Sequence, residues 1–130
     1  MRACLSLLEA IGHVYFQGAP ATGAAILCCM FLASPAMGLG CVLGGASALL
    51  AARMLGGAPA AHGLYACNAV LTGAGLAALY RCTPALLAWI VAGGIATTLA
   101  THLFRRCGKL PALTAPFVLW MLLADAAGLA

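Results

Sequence analysis

Apolar residues along this chain form one short run and five longer runs, separated by proline, glycine and charged residues. Such residues mark the ends of helices, so each run is predicted to form one helix. All the runs are expected to belong to a single membrane domain over residues 1–130. The predicted segments are a half-depth helix at 5–17 and membrane helices at 20–34, 36–55, 63–80, 84–104 and 112–130.

The lengths of these runs indicate which of them cross a bilayer. A helix needs about 20 apolar residues to span the hydrocarbon core. Residues 84–104 meet this requirement most clearly, whereas residues 5–17 are too short to cross alone. The sequence therefore predicts an all-α, polytopic membrane protein with five transmembrane helices and one short re-entrant helix.

Composition supports this class. The chain is 65% hydrophobic and only 6% charged, with a mean hydropathy of +1.12. Soluble domains carry about 25% charged residues, so this chain cannot cover a globular surface with polar groups. Cytosolic enzymes and nucleic-acid-binding proteins are thereby excluded. We expect a multi-pass protein of the inner (plasma) membrane that contacts the lipid bilayer, and residues 1–9 show no secretory-signal pattern.

The side chains able to carry chemistry are few. Seven cysteines lie mostly inside apolar runs, without CxxC spacing or clustered histidines. This arrangement favours helix packing over a zinc site, so no metal and no cofactor is expected. The polar residues of the runs offer no nucleophile beside a base, and an enzyme is not expected.

Charged residues predict the orientation of the chain. With five crossings, Arg53, Arg105, Arg106 and Lys109 fall on one face of the membrane and Arg81 on the other. Basic residues concentrate on the cytoplasmic side. The bias therefore predicts one topology, with the more basic face in the cytoplasm.

The scarcity of acidic residues narrows the type of transport. Only Glu9 and Asp125 carry carboxylates. Ion-coupled transporters usually keep intramembrane carboxylates for the coupling ion. Passive movement of a neutral solute therefore fits this sequence better.

The segment LPALTAPF, residues 110–117, is the most specific local pattern. Pro111 and Pro116 each remove a backbone donor and leave a carbonyl without its helical partner. The Thr114 hydroxyl adds another oxygen, so the segment offers a short row of acceptors inside an apolar stretch. The same pattern also fits a kinked helix start whose threonine bonds its own backbone.

This segment matches the LPxxTxPF signature of the urea transporter family at each specified position. Two further segments are similar to motifs of that family. IGHVYFQGAPATG, residues 11–23, resembles its G-x-G-Q-V-x-F-x-N-N-P-x-x-G start, and GLYACNAVLTG, residues 63–73, resembles its GLYGFN-x-x-L-x-G segment. The three motifs follow the family's order and cover nearly the whole chain.

The resemblance implies an all-helical channel in which urea passes through a slot. In that family, flat aromatic rings flank the solute and a ladder of oxygens accepts its N–H donors. Two homologous, oppositely oriented halves enclose one pore, and three pores form a trimer. The 130 residues correspond to one inverted repeat, so a homo-oligomer or a second half-transporter is the expected partner.

Residue roles follow from the same resemblance. Thr114 corresponds to a hydroxyl in the middle of the pore, Phe16 to a slot aromatic and Leu71 to an apolar wall. Asn68 matches a family asparagine that would hold a broken helix by bonding backbone. The expected substrate-binding residues are His13, Phe16, Gln17, Cys67, Leu71, Thr114 and Phe117, and the expected structural pore residues are Asn68, Pro111 and Pro116.

Two of these positions depart from the family. His13 lies where Gln or Glu usually contacts urea, and a protonated histidine loses its acceptor. We therefore expect urea flux to fall below about pH 6. Cys67 replaces a second slot aromatic, and a thiol cannot flatten the slot as a ring does.

The leading hypothesis is a half-size channel subunit for urea or small neutral amides. The alternative is a non-transporting membrane subunit, or a truncated half, that packs with a second urea-transporter half. A channel for ammonia or water is a third reading, in which a hydrophobic constriction matters more than an oxygen ladder.

Overall fold

The computed structural model describes residues 2–56, 62–107 and 114–129. Of these residues 87% are helical and none forms a strand, which confirms the predicted all-α class. The elements are α1 (Arg2–Gly12), a 3₁₀ turn (His13–Tyr15), α2 (Pro20–Ala33), α3 (Pro35–Met54), α4 (His62–Leu79), α5 (Pro84–Cys107) and α6 (Ala115–Ala126).

Prolines start several of these helices. Pro20, Pro35 and Pro84 are the first residues of α2, α3 and α5. Proline suits this position because its fixed φ is helical and the first N–H of a helix has no intrahelical partner. Proline-led boundaries can therefore be read from the sequence alone.

The first segment and the last two helices differ from the predicted ranges. Helix α1 covers Arg2–Gly12 and the 3₁₀ turn ends at Tyr15, against the predicted 5–17. Helix α5 continues to Cys107, three residues beyond the predicted end at 104. The described part of the last segment is helical only over Ala115–Ala126, within the predicted 112–130. Pro111 and the predicted start of that segment lie outside the described residues.

Two helices, Pro35–Met54 and Pro84–Cys107, are long and apolar enough to cross a membrane. Residues Arg2–Tyr15 and Pro20–Ala33 together pass the same test but are bent by 79° at the break between them. That pair is either a broken span or a re-entrant loop. The shorter apolar helices are Tyr65–Leu79 and Ala115–Ala126, so the count of five spans plus a re-entrant helix stays a prediction.

Helix α4 lies at the centre of the packing and contacts α1, α3, α5, α6 and the 3₁₀ turn. One buried cluster joins α1, α3 and α4 through residues such as Ile11, Cys41 and Val70. A second cluster joins α4, α5 and α6 through residues such as Leu76 and Ile90. The position of α4, and of any surface it leaves exposed, is therefore fixed by contacts with several helices.

Helices α3 and α4 approach each other closely through glycines. A Cβ on Gly73 would overlap the carbonyl oxygen of Gly40, and a Cβ on Gly40 would overlap the carbonyl oxygen of Gly73. Small residues permit such backbone contact between membrane helices. Glycine is required at both positions because any larger residue would force the two backbones apart.

The cysteines only partly follow the interpretation as helix-packing residues. Cys41 is buried and Cys67 is half-buried. The other five are exposed on the surface of the chain: Cys4, Cys28, Cys29, Cys82 and Cys107. Helix packing within the described part of the chain therefore accounts for few of these thiols, because five of the seven are exposed.

Candidate functional site

One edge of α4 carries residues of the motif at 63–73. We call Gly63, Cys67, Leu71 and Gly75 the α4 strip, since residues four apart share a helix face. Gly63 is buried and the other three are half-buried. At 1.5 Å per residue the strip is roughly 18 Å long, and it lies at the boundary between the packed and open sides of α4.

The His13 ring lies at the first end of the α4 strip. A Cβ built on Gly63 would be 3.0 Å from His13 Nδ1. The same nitrogen is 2.7 Å from the carbonyl oxygen of Glu9. Because a carbonyl only accepts, Nδ1 carries the proton, and Nε2 is the acceptor of the neutral ring.

Phe117 lies at the other end of the α4 strip. A Cβ built on Gly75 would be 3.3 Å from Phe117 Cε2, so α6 packs its first turn against α4 there. Pro116 is buried in that turn. Thr114 precedes the helix, is exposed, and its hydroxyl makes no capping hydrogen bond.

The turn after the 3₁₀ segment presents an aromatic side chain. Phe16 has φ 61°, in the left-handed region, and its side chain is 84% exposed. Non-glycine residues seldom adopt this conformation without a functional or structural reason. The ring therefore stands away from the packed part of the chain, on a strained backbone position.

Gln17 is placed differently from the other predicted contacts. Its Oε1 accepts a hydrogen bond of 3.3 Å from Thr22 Oγ1, and its backbone N–H bonds the Gly12 carbonyl at 3.2 Å. These bonds tie Gln17 to α1 and α2. The structure brings His13 and Phe117 to the two ends of the α4 strip, and it holds the Gln17 amide against Thr22 of α2.

Polar side chains are buried between α4 and α5. Asn68 is 1% exposed, and its Nδ2 donates to Thr101 Oγ1 at 3.3 Å. Thr101 in turn donates to the Thr97 carbonyl at 2.8 Å. Asn68 therefore connects two helices, a contact that sequence reasoning missed because the partner is 33 residues away.

The sequence analysis also missed a tryptophan contact between α5 and α6. Trp120 of α6 lies over Gly93 of α5, where a Cβ would overlap its Nε1. That nitrogen is buried and has no acceptor within the described part of the chain. The ring pairs with Trp89, with centroids 5.3 Å apart. Gly93 signals a close contact in the sequence, but its spacing does not show that the contact is with Trp120.

An aromatic and basic group lies where α4 begins and α5 ends. The guanidinium carbon of Arg105 is 5.1 Å from the centroid of the Tyr65 ring. The His102 ring is 5.8 Å from the same ring, tilted by 50°. At the other end of these helices a cleft of about 330 Å³ is lined by Leu79, Tyr80, Arg81, Thr83, Leu86 and Leu129.

Apolar helices long enough to cross a bilayer, packed around a central helix with a half-buried edge, define a polytopic membrane protein. Among known families, the model of the urea transporter family matches residues 4–129. The match covers nearly all of the 130 residues, so the chain belongs to the urea transporter family. No curated protein matches it. The resemblance drawn from the three motifs is thereby confirmed.

Proposed function

We propose that this chain forms one half of a passive channel for urea or small neutral amides. The α4 strip, Phe117 and Thr114 form one wall of the conducting slot. The observation that carries the proposal is the convergence of residues from all three family motifs along one half-buried edge of α4. The family match over residues 4–129 supports the same solute.

The chemistry of the wall suits a planar, uncharged donor. Urea carries N–H groups that need acceptors on leaving water. The Thr114 hydroxyl and Nε2 of His13 supply acceptors, while Leu71 and Phe117 supply apolar surface. Apolar walls exclude ions because the ions would lose their hydration without compensation.

The slot needs a second wall. Three members of the α4 strip are half-buried, so the strip is open on one side within this chain. A second urea-transporter half, or another copy of this chain, faces the strip in our proposal. The more basic ends of the helices lie in the cytoplasm, and the assembly resides in the inner (plasma) membrane.

Cys67 favours a second candidate function. The thiol is half-buried on the strip next to Leu71, where the resemblance implies a flat ring. A slot without that ring is wider and admits larger amides. If the slot is no longer selective at all, the chain acts only as a membrane subunit that packs with a second half.

Stopped-flow urea permeability of proteoliposomes tests the proposed function. The comparison is wild type against Thr114→Val, which removes the hydroxyl and keeps the shape of the side chain. Loss of one neutral hydrogen bond is expected to lower flux by about fivefold. Thermal unfolding should be unchanged, because the Thr114 side chain makes no capping bond.

Thr83→Val is the matched control. Thr83 also precedes a helix, and its Oγ1 accepts from the Leu86 N–H at 3.1 Å, but it lies away from the α4 strip. The control should lose about 1 kcal/mol of stability through the lost cap and keep its flux. Equal flux in wild type and Thr114→Val would contradict the proposed role of the hydroxyl. Background flux in folded wild type would show that this chain alone does not conduct.

A further inference from the structure

The end of α5 carries two exposed arginines that form no ion pair with the described residues of the chain. The chain has six Lys and Arg residues against two Asp and Glu residues, which leaves a net charge of +4. Arg105 and Arg106 lie together in the last turn of α5, and both are exposed. Asp125 belongs to α6, whose Ala124 packs with Leu86 at the opposite end of α5.

Tyr65 and His102 organise this end of α5. The guanidinium of Arg105 lies over the Tyr65 ring at 5.1 Å, within the range of a cation–π interaction. A guanidinium carries its N–H groups in one plane, and their spacing matches two oxygens of a phosphate. His102, Arg105 and Arg106 are three and four residues apart, so they share one side of the helix.

Apolar side chains continue from the arginines toward the middle of α5. Leu103 and Leu99 are exposed and lie one and two turns before Arg106, respectively, on the same side of the helix. The helix has 24 residues, or roughly 36 Å, against about 30 Å of hydrocarbon. With Pro84 at one boundary, the last turn reaches the depth of the lipid headgroups.

We infer that this end of α5 is a binding site for an anionic phospholipid. The phosphate is held by Arg105 and Arg106, with Tyr65 fixing the direction of the Arg105 guanidinium. The acyl chains lie along Leu103 and Leu99. The site is separate from the α4 strip and does not depend on which solute the chain conducts.

Native mass spectrometry of the full chain, released from neutral detergent, tests this site. The probes are phosphatidylglycerol, phosphatidylcholine and inorganic phosphate. One tightly retained phosphatidylglycerol is expected, with weaker retention of phosphatidylcholine. Each arginine near an anionic headgroup contributes about fivefold in affinity, so Arg105→Gln with Arg106→Gln should weaken binding by about 25-fold.

Arg53→Gln is the matched control. Arg53 is also an exposed arginine in the last turn of a helix, so it reports the general effect of basic residues near lipid. Because Arg53 is not part of the proposed site, the phosphatidylglycerol affinity of Arg53→Gln should stay within about twofold of wild type. A general effect of losing one arginine near lipid would instead lower the affinity by about fivefold. Equal losses in Arg53→Gln and in a single Arg105→Gln variant would overturn the site.

Tyr65 variants separate a binding role from a folding role. Tyr65→Phe keeps the ring and should bind phosphatidylglycerol as wild type does, whereas Tyr65→Leu should bind it more weakly. Circular dichroism identifies any variant that fails to fold. If Tyr65→Leu fails to fold, Tyr65→Phe still tests the role of the ring, because weaker binding in that variant would contradict it. Displacement of the lipid by inorganic phosphate at equal concentration would show a free-phosphate site and overturn the lipid assignment.

Discussion

His13 shows how one local hydrogen bond sets the chemistry of a side chain. The Glu9 carbonyl orients the ring through Nδ1 at 2.7 Å. Glycines on two sides leave room for it, since a Cβ on Gly18 would overlap His13 Cε1 and one on Gly63 would lie 3.0 Å from Nδ1. The neutral ring is thereby held with one remaining nitrogen, Nε2, as an acceptor.

We predict that removing the Nε2 acceptor lowers urea flux through the proposed slot. His13→Phe keeps a ring without an acceptor, and loss of one neutral hydrogen bond should lower flux by about fivefold. Stopped-flow permeability of proteoliposomes measures the change. His13→Gln keeps an acceptor and should retain most of the flux. Wild-type flux in His13→Phe would remove His13 from the conducting surface.

The hydrogen bond between Asn68 and Thr101 is expected to stabilise the contact of α4 with α5. A double-mutant cycle with Asn68→Leu and Thr101→Val measures it through reversible unfolding in mixed micelles. Hydrogen bonds between membrane helices average about 0.6 kcal/mol and reach about 1.7 kcal/mol. We expect a coupling energy in this range.

Thr98→Val is the control for this cycle. Its hydroxyl donates to the Gly94 carbonyl of its own helix at 2.7 Å. Paired with Asn68→Leu, it should therefore show a coupling energy near zero. A coupling as large as that of Thr101 would mean that the cycle reports general repacking of α5 and not the hydrogen bond.

At the scale of elements, the contact between α3 and α4 depends on the absence of side chains. Glycines from both helices meet there, with backbone atoms of one helix against the α-carbons of the other. This proximity places α4 close to α3 and leaves the α4 strip at the boundary between the packed and open sides of α4. The helix faces that meet are thus chosen by volume as well as by hydropathy.

Gly73→Ala should reduce the free energy of unfolding by about 1–3 kcal/mol, because the new methyl group meets the Gly40 carbonyl and the backbone must separate. Thermal or denaturant unfolding in detergent measures this loss. Ala78→Leu adds more volume to the exposed side of the same helix and should leave stability nearly unchanged. Similar losses in both variants would show that α4 is sensitive to volume on every side.

At the scale of the whole molecule, two exposed cysteines report the topology. Cys82 lies between α4 and α5, and Cys107 is the last residue of α5. Helix α5 is long and apolar enough to cross the membrane. The two thiols therefore lie on opposite sides of the bilayer when α5 spans it.

We predict that a membrane-impermeant maleimide added to intact cells labels Cys82, and labels Cys107 only after permeabilisation. The reason is the concentration of arginines at the Cys107 end of α5, which favours the cytoplasm. The measurement uses single-cysteine variants that retain one of the two thiols. Partial labelling of both before permeabilisation would indicate two coexisting orientations, so that copies of this chain could face each other as opposed halves.

Much of this protein could be predicted from its sequence. Runs of apolar residues and prolines such as Pro35 and Pro84 identify helices locally, because hydropathy and a missing N–H act within a few residues. The motif around Thr114 pointed to the family without a structure, since its residues are consecutive in the sequence. Membrane location followed from composition, because so few charges cannot cover a soluble surface.

Other features came only from the packing of helices. The partner of Asn68 and the exposure of five cysteines depend on residues distant in the sequence. Each of these depends on which faces of rigid helices meet, and that is decided by side-chain volumes on several elements together. The pattern along one helix predicts which of its faces is buried. Which other helix packs on that face is decided by the fit of side chains in three dimensions.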